Sequence, residues 1–214
     1  MLYTVRVNKV FFILFSIFIF IIGGFLIFIP KNDLHLLLNE FHTPFFDFFF
    51  RIVTFAGDGV FPFIVAIIFL FISYRKAIFI ALAPSIAGLF SQFFKRVVFP
   101  DVLRPKGVFG DTGTLYIVPG VDLHTMHSFP SGHSTTIFSL ALCLVIFSKQ
   151  NYLKALWFCL ACIAAYSRVY LSQHFLIDIY FGAILGIISI LLLLYFYSKI
   201  KYKGLDNSLI DILR

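Results

Sequence analysis

Residues 10–29 read VFFILFSIFIFIIGGFLIFI, without one charged side chain, and Pro30 ends the run. A helix rises about 1.5 Å per residue, so a stretch of about 20 apolar residues crosses the hydrocarbon core of a bilayer. Arg6 and Lys9 precede it in the manner of a secretory leader. The run is nevertheless longer than a leader's apolar segment and no small-residue cleavage site follows, so it reads as a retained span. The rest of the chain agrees: 61% of its residues are hydrophobic, 13% are charged, and mean hydropathy is +1.00. That composition marks an integral membrane protein and excludes a soluble enzyme, a disordered regulator and a free nucleic-acid-binding domain, each of which needs polar surface this chain lacks.

Further apolar stretches cover 60–73, 77–94, 133–148, 155–169 and 176–197. The expected fold is all-α, a polytopic membrane helical bundle of about six spans, with 1–214 forming one domain. Basic residues flank alternate ends of the spans: Arg6 and Lys9, Arg75 and Lys76, Lys149 and Lys154, then Lys199, Lys201 and Lys203. The positive-inside rule puts these ends, and both termini, in the cytoplasm. The net charge of +7 then reads as topology and contact with anionic lipid, since no basic cluster is long enough to suggest nucleic acid. Cys143, Cys159 and Cys162 lie in apolar stretches and read as packing thiols, with no disulfide framework expected.

Three connections, 31–59, 95–132 and 168–175, are left for the outer side. In the first, Leu34, Leu37, Leu38, Phe41, Phe45, Phe48, Phe49 and Ile52 recur at helical spacing with Asn39, Glu40, Asp47 and Arg51 between them. This predicts amphipathic helix in the membrane interface, broken or restarted at Pro44. It would either pack on the bundle or face lipid as a lid. Asp58, in Gly57-Asp58-Gly59, reads as a turn or helix-start residue.

The second connection carries Lys95, Arg96, Arg104, Lys106, Asp111, Asp122, His124 and His127 and closes on Phe129-Pro130-Ser131-Gly132-His133; the third runs from Ser167-Arg168 to His174 and Asp178. Ionisable groups gathered at the ends of apolar helices are costly, so a functional site is the default reading. Arg104 and Arg168 are permanently charged forks suited to a phosphate dianion, and Lys95 would add a point charge. Ser131, Gly132 and His133 open a helix whose N–H groups favour anionic oxygens. His174 and Asp178, four apart, share a face if the last span begins there, which lets the carboxylate fix the imidazole tautomer and makes His174 a credible nucleophile.

These motifs resemble those of the type 2 phosphatidic acid phosphatase family, the PAP2 superfamily, whose signature is K-x6-RP, PSGH and SR-x5-H-x3-D. The second and third parts stand unaltered at Pro130–His133 and Ser167–Asp178. The first departs, as Lys95-x8-Arg104-Pro105, with Arg96 as an alternative to Lys95. The resemblance implies that His174 attacks phosphorus, Asp178 orients it, and His133 protonates the leaving oxygen and then activates water. Lys95, Arg104, Ser131, Gly132 and Arg168 would hold the phosphoryl oxygens. No metal or other cofactor is implied. His124 and His127 have no family counterpart and read as solvated loop residues, with headgroup contact the alternative.

The resemblance further implies a lipid phosphate or pyrophosphate as substrate, of the undecaprenyl pyrophosphate, phosphatidylglycerol phosphate or lipid A type. The setting would be the bacterial inner membrane with the site on its outer face. Two other functions stay open: a lipid phosphotransferase with the same covalent chemistry, and a lipid-binding or transport protein without catalysis. Intact Arg104, His133, Arg168, His174 and Asp178 argue against the last, which needs cations but not a paired nucleophile and acid. Vanadium haloperoxidases share the motifs but are soluble.

Overall fold

The computed structural model describes residues 2–200 and 202–212. Among these residues all regular structure is helical: α1 (Leu2–Val7), α2 (Lys9–Phe28), α3 (Lys31–Asn39), α4 (Pro44–Val53), α5 (Phe61–Leu70), α6 (Tyr74–Phe93), α7 (Pro105–Phe109), α8 (Gly132–Phe147), α9 (Asn151–Tyr170), α10 (Leu176–Tyr197) and α11 (Leu209–Ile212). The centre is α8, which packs against α6, α9 and α10. Every residue from Ser134 to Val145 is buried, as expected of a helix with no polar face. By contrast, α2 buries only Phe11 and leaves Phe20, Ile27 and Phe28 exposed, which suits a helix bathed in lipid.

Small residues set how closely the bundle closes. A Cβ at Gly182 would lie 2.6 Å from the Ser131 carbonyl oxygen, and one at Gly186 would lie 2.6 Å from that of Thr135. Glycine on one face of α10 therefore lets α8 approach to backbone contact, the small-residue packing common between membrane helices.

Among the described residues, four helices are long and apolar enough to cross a bilayer: α2, Tyr74–Val98, α9 and α10. Helix α8 is apolar but shorter, at 16 residues. The stretch 60–73 differs most from expectation. Helix α5 has ten residues, so it covers only about 15 Å. It bends by 64° from the preceding Pro44–Gly57 segment, and the two together make one candidate span. The break falls at Gly57-Asp58-Gly59, and Pro62 starts the new helix within its first turn, where a missing N–H is harmless.

The amphipathic stretch expected in the interface forms α3 and α4, of which α4 is also the first arm of the bent pair with α5. Thr43 caps α4, its Oγ1 accepting from the Phe46 N–H at 3.2 Å, and Pro44 takes the first helical position. Phe41, Phe45 and Phe48 stay exposed, while Asp47 on the other face accepts from the hydroxyls of Tyr116 and Tyr170 at 2.8 and 2.6 Å. At the end of the bundle holding the start of α6, Arg75 pairs with Asp206 and donates to the carbonyls of Ile200 and Tyr202. The motif residues therefore fall at the opposite end.

Candidate active site

Four helix ends converge there: the last turn of α6, the first of α8, the last of α9 and the first of α10. The first three of these, with the segments that precede α7 and α10, border a cavity of about 600 Å³ lined by Lys95, Arg104, Gly132, His133, Arg168 and His174.

His174 sits on the turn 171–175, which folds back on α9 because the backbone N–H groups of Gln173 and His174 both donate to the Arg168 carbonyl, at 2.9 and 3.0 Å. Ser172 takes a left-handed φ of 51° to make this possible. The His174 Nδ1 lies 3.2 Å from Asp178 Oδ2, and both residues are only 1% exposed. The same carboxylate oxygen accepts from Ser128 Oγ at 2.5 Å and from the Phe175 N–H at 2.9 Å, so Asp178 is held from three sides. With Nδ1 committed, Nε2 has no hydrogen-bond partner among the described residues. Burial first, and then the positive charges of Arg104, Lys95 and Arg168, hold the His174 imidazole well below its usual pKa of 6.5, so the ring stands neutral.

Each cation is positioned differently. Arg104 precedes α7, where its Nε donates to the Met126 carbonyl at 3.0 Å and its Nη1 to the backbone and side-chain oxygens of Gln173 at 3.1 and 3.2 Å. Burial lowers its pKa, with Asp178 opposing. Arg168 donates from Nη1 to Thr54 Oγ1 at 2.7 Å, while its Nε is buried without a partner among the described residues. Lys95 lies in the π-helical turn Phe94–Val98 that prolongs α6. It is 6% exposed and faces the cavity, whereas Arg96 is exposed and faces away. The longer interval before Arg104 is taken up by this widened turn and the bend at Pro100. Lys106 pairs instead with Asp111.

Ser131 is brought near but not into the cavity. Its Oγ caps α8 by accepting from the Ser134 N–H at 3.3 Å, and its own N–H donates to the Asp178 carbonyl at 3.0 Å. It thereby fixes the first turn of α8, whose Gly132 and His133 N–H groups have no intrahelical acceptor. His124 and Asp122 reach the cavity rim; His127, at φ 55°, does not line it.

Sequence reasoning missed several supports. Asp58, expected only to make a turn, lines the cavity with Oδ1 4.0 Å from His133 Nε2. Gly57 makes that approach possible, since a Cβ there would lie 2.9 Å from His133 Cβ. From α3, Asn39 Nδ2 donates to Ser172 Oγ at 3.1 Å and His35 Nε2 lies 3.3 Å from the same hydroxyl, pinning the turn that carries His174. Burial keeps His35 neutral, with a pKa near 4. In the sequence Asn39 stands only as a polar residue between the apolar positions of an amphipathic stretch, and nothing there marks His35.

The chain is similar to known proteins in sequence and in fold. The chain is 30% identical over 194 residues to the lipid A 4'-phosphatase of Porphyromonas gingivalis, covering 81% of this chain and 76% of that one. Its fold matches the crystal structure of Aquifex aeolicus LpxE with a TM-score of 0.68 and 26% identity, over 78% of this chain and 96% of the other. It also matches a transmembrane PAP2-type phosphatidylglycerolphosphate phosphatase from Bacillus subtilis, with a TM-score of 0.63 and 22% identity, over 92% and 98%. Residues 76–202, which contain all three motifs, match the PAP2 superfamily, and this integral membrane chain belongs to that family.

Proposed function

We propose that this lipid phosphatase works through a phosphohistidine. The His174 Nε2 attacks phosphorus as the bond to the lipid oxygen breaks, and His133 gives that oxygen a proton. A water then loses its proton to His133, attacks the phosphorus, breaks the N–P bond and releases inorganic phosphate. Asp178 holds the His174 tautomer and stabilises its developing charge; Asp58 does the same, at longer range, for His133. Lys95, Arg104 and Arg168, with the N–H groups of Gly132 and His133, take up charge on the phosphoryl oxygens. The observation that carries this reading is a buried His174–Asp178 pair facing three cations across one cavity.

The site opens at the outer face of the bacterial inner membrane, with both termini in the cytoplasm, a reading supported by the alternation of basic clusters. Among lipid phosphates, the name of the P. gingivalis relative favours a substrate of the lipid A type. The test is phosphate release by purified protein from a panel of lipid phosphates, with EDTA and with vanadate. Release that survives EDTA and is inhibited by vanadate is expected, because cationic side chains serve the phosphoryl group and vanadate imitates five-coordinate phosphorus. No release from any lipid would contradict the proposal.

A further inference from the structure

The arginines Arg104 and Arg168 line the same cavity but are held unequally. Arg104 gives Nε to the Met126 carbonyl and Nη1 to both oxygens of Gln173, at 3.0, 3.1 and 3.2 Å, so its plane is fixed from two directions. For Arg168 a single contact does this work: Nη1 donates to Thr54 Oγ1 at 2.7 Å, and neither Nε nor Nη2 meets an acceptor among the described residues. A long side chain tied at one nitrogen keeps much of its rotamer freedom, and Arg104 repels it as a like charge. The hydroxyl of Thr54 is what opposes both effects.

Thr54 owes its place to the bend between α4 and α5. It follows the last residue of α4 and opens the 3-10 turn Thr54–Gly57, which packs against both α8 and α9. At the far end of that turn Gly57 seats against His133, where a Cβ would come within 2.9 Å of His133 Cβ. A short segment outside the three motifs thus meets Arg168 on α9 with one end and His133 on α8 with the other. Threonine suits the first of these contacts, since its hydroxyl accepts while its β-branched stem is stiff. We infer, resting on the phosphatase reading above, that Thr54 is a positioning residue for the phosphoryl site. It acts through Arg168, holding the guanidinium by Nη1 and leaving Nη2 for the phosphoryl oxygens.

Vanadate binding to the purified full-length protein in detergent micelles, followed by isothermal titration calorimetry, reads the site without turnover. Thr54→Val keeps the shape and removes the acceptor, so vanadate should bind roughly tenfold more weakly or worse, the scale of a hydrogen bond to a charged group. Thr54→Ala, which makes no demand on space, should behave in the same way, and Thr54→Ser should restore the affinity. In an Arg168→Ala background, adding Thr54→Val should change the affinity by less than about twofold, because a residue that acts through Arg168 then has nothing to hold. Unchanged affinity in Thr54→Val and Thr54→Ala, no recovery in Thr54→Ser, or an equal loss with and without Arg168 would overturn the inference. A wild type that binds no vanadate would instead overturn the phosphatase reading on which it rests.

Discussion

At the scale of single residues, charge and solvent access divide the work. Lys95 is buried at the cavity with Arg104 and Arg168, an arrangement of like charges that invites an anion; Arg96, next to it, points away. Lys95→Ala should therefore lose roughly 2–5 kcal/mol of transition-state stabilisation, as when one partner of a buried charge pair is truncated, whereas Arg96→Ala should lose far less. Steady-state kinetics of both variants decides this, and equal small losses would mean that Lys95 does not meet the phosphoryl group. His174 supports a second expectation. Its pKa is lowered, so the free base that the proposed mechanism needs persists as pH falls through the usual histidine value of about 6.5. The acid limb of kcat/KM should accordingly lie below that pH. A limb centred above it would show that the nucleophile is not held neutral by burial and its cationic neighbours.

Among the elements, α3 has the least expected task. It lies outside the three motifs, yet Asn39 bonds Ser172 and both the N–H and carbonyl of Tyr116, at 3.1, 2.7 and 3.1 Å. Asn39→Ala would leave buried groups unpaired, a loss of roughly 1–3 kcal/mol, and would free the turn that presents His174. Thermal unfolding and turnover should both fall, while unchanged values would deny α3 its positioning role. Such supports were hidden in the sequence for a physical reason. Helix, span and motif are local patterns, and residues 10–29, Pro130–His133 and Ser167–Asp178 declared themselves by composition and spacing. The contacts of Asn39 with Ser172, of Asp58 with His133 and of Thr54 with Arg168 join residues far apart in sequence, and only packing creates them. Likewise, the turn at Gly57-Asp58-Gly59 was legible, but hydropathy over 60–73 could not reveal that α5 has only ten residues and pairs with Pro44–Gly57 across a 64° bend. The first motif was ambiguous because the π turn at Phe94–Val98 alters helix phase just where Lys95 and Arg96 had to be told apart.

Across the whole molecule, one end of the bundle gathers Arg75, Asp206 and the segment around Ile200, and the other gathers the cavity. Cysteines introduced at Arg75 and at Lys106 should react with an impermeant maleimide from opposite sides of intact cells, Lys106 from outside. Labelling of position 106 only after permeabilisation would invert the orientation. In the proposed reaction a neutral, buried His174, oriented by Asp178 and faced by three cations, becomes covalently phosphorylated. Rapid denaturing quench of the protein with a 32P-labelled lipid phosphate measures this most directly. Label that is stable to alkali, labile to acid, mapped to His174 and absent from His174→Ala is the predicted result. Label retained in His174→Ala, or turnover without any phosphoprotein in a quench fast enough to resolve one cycle, would contradict it.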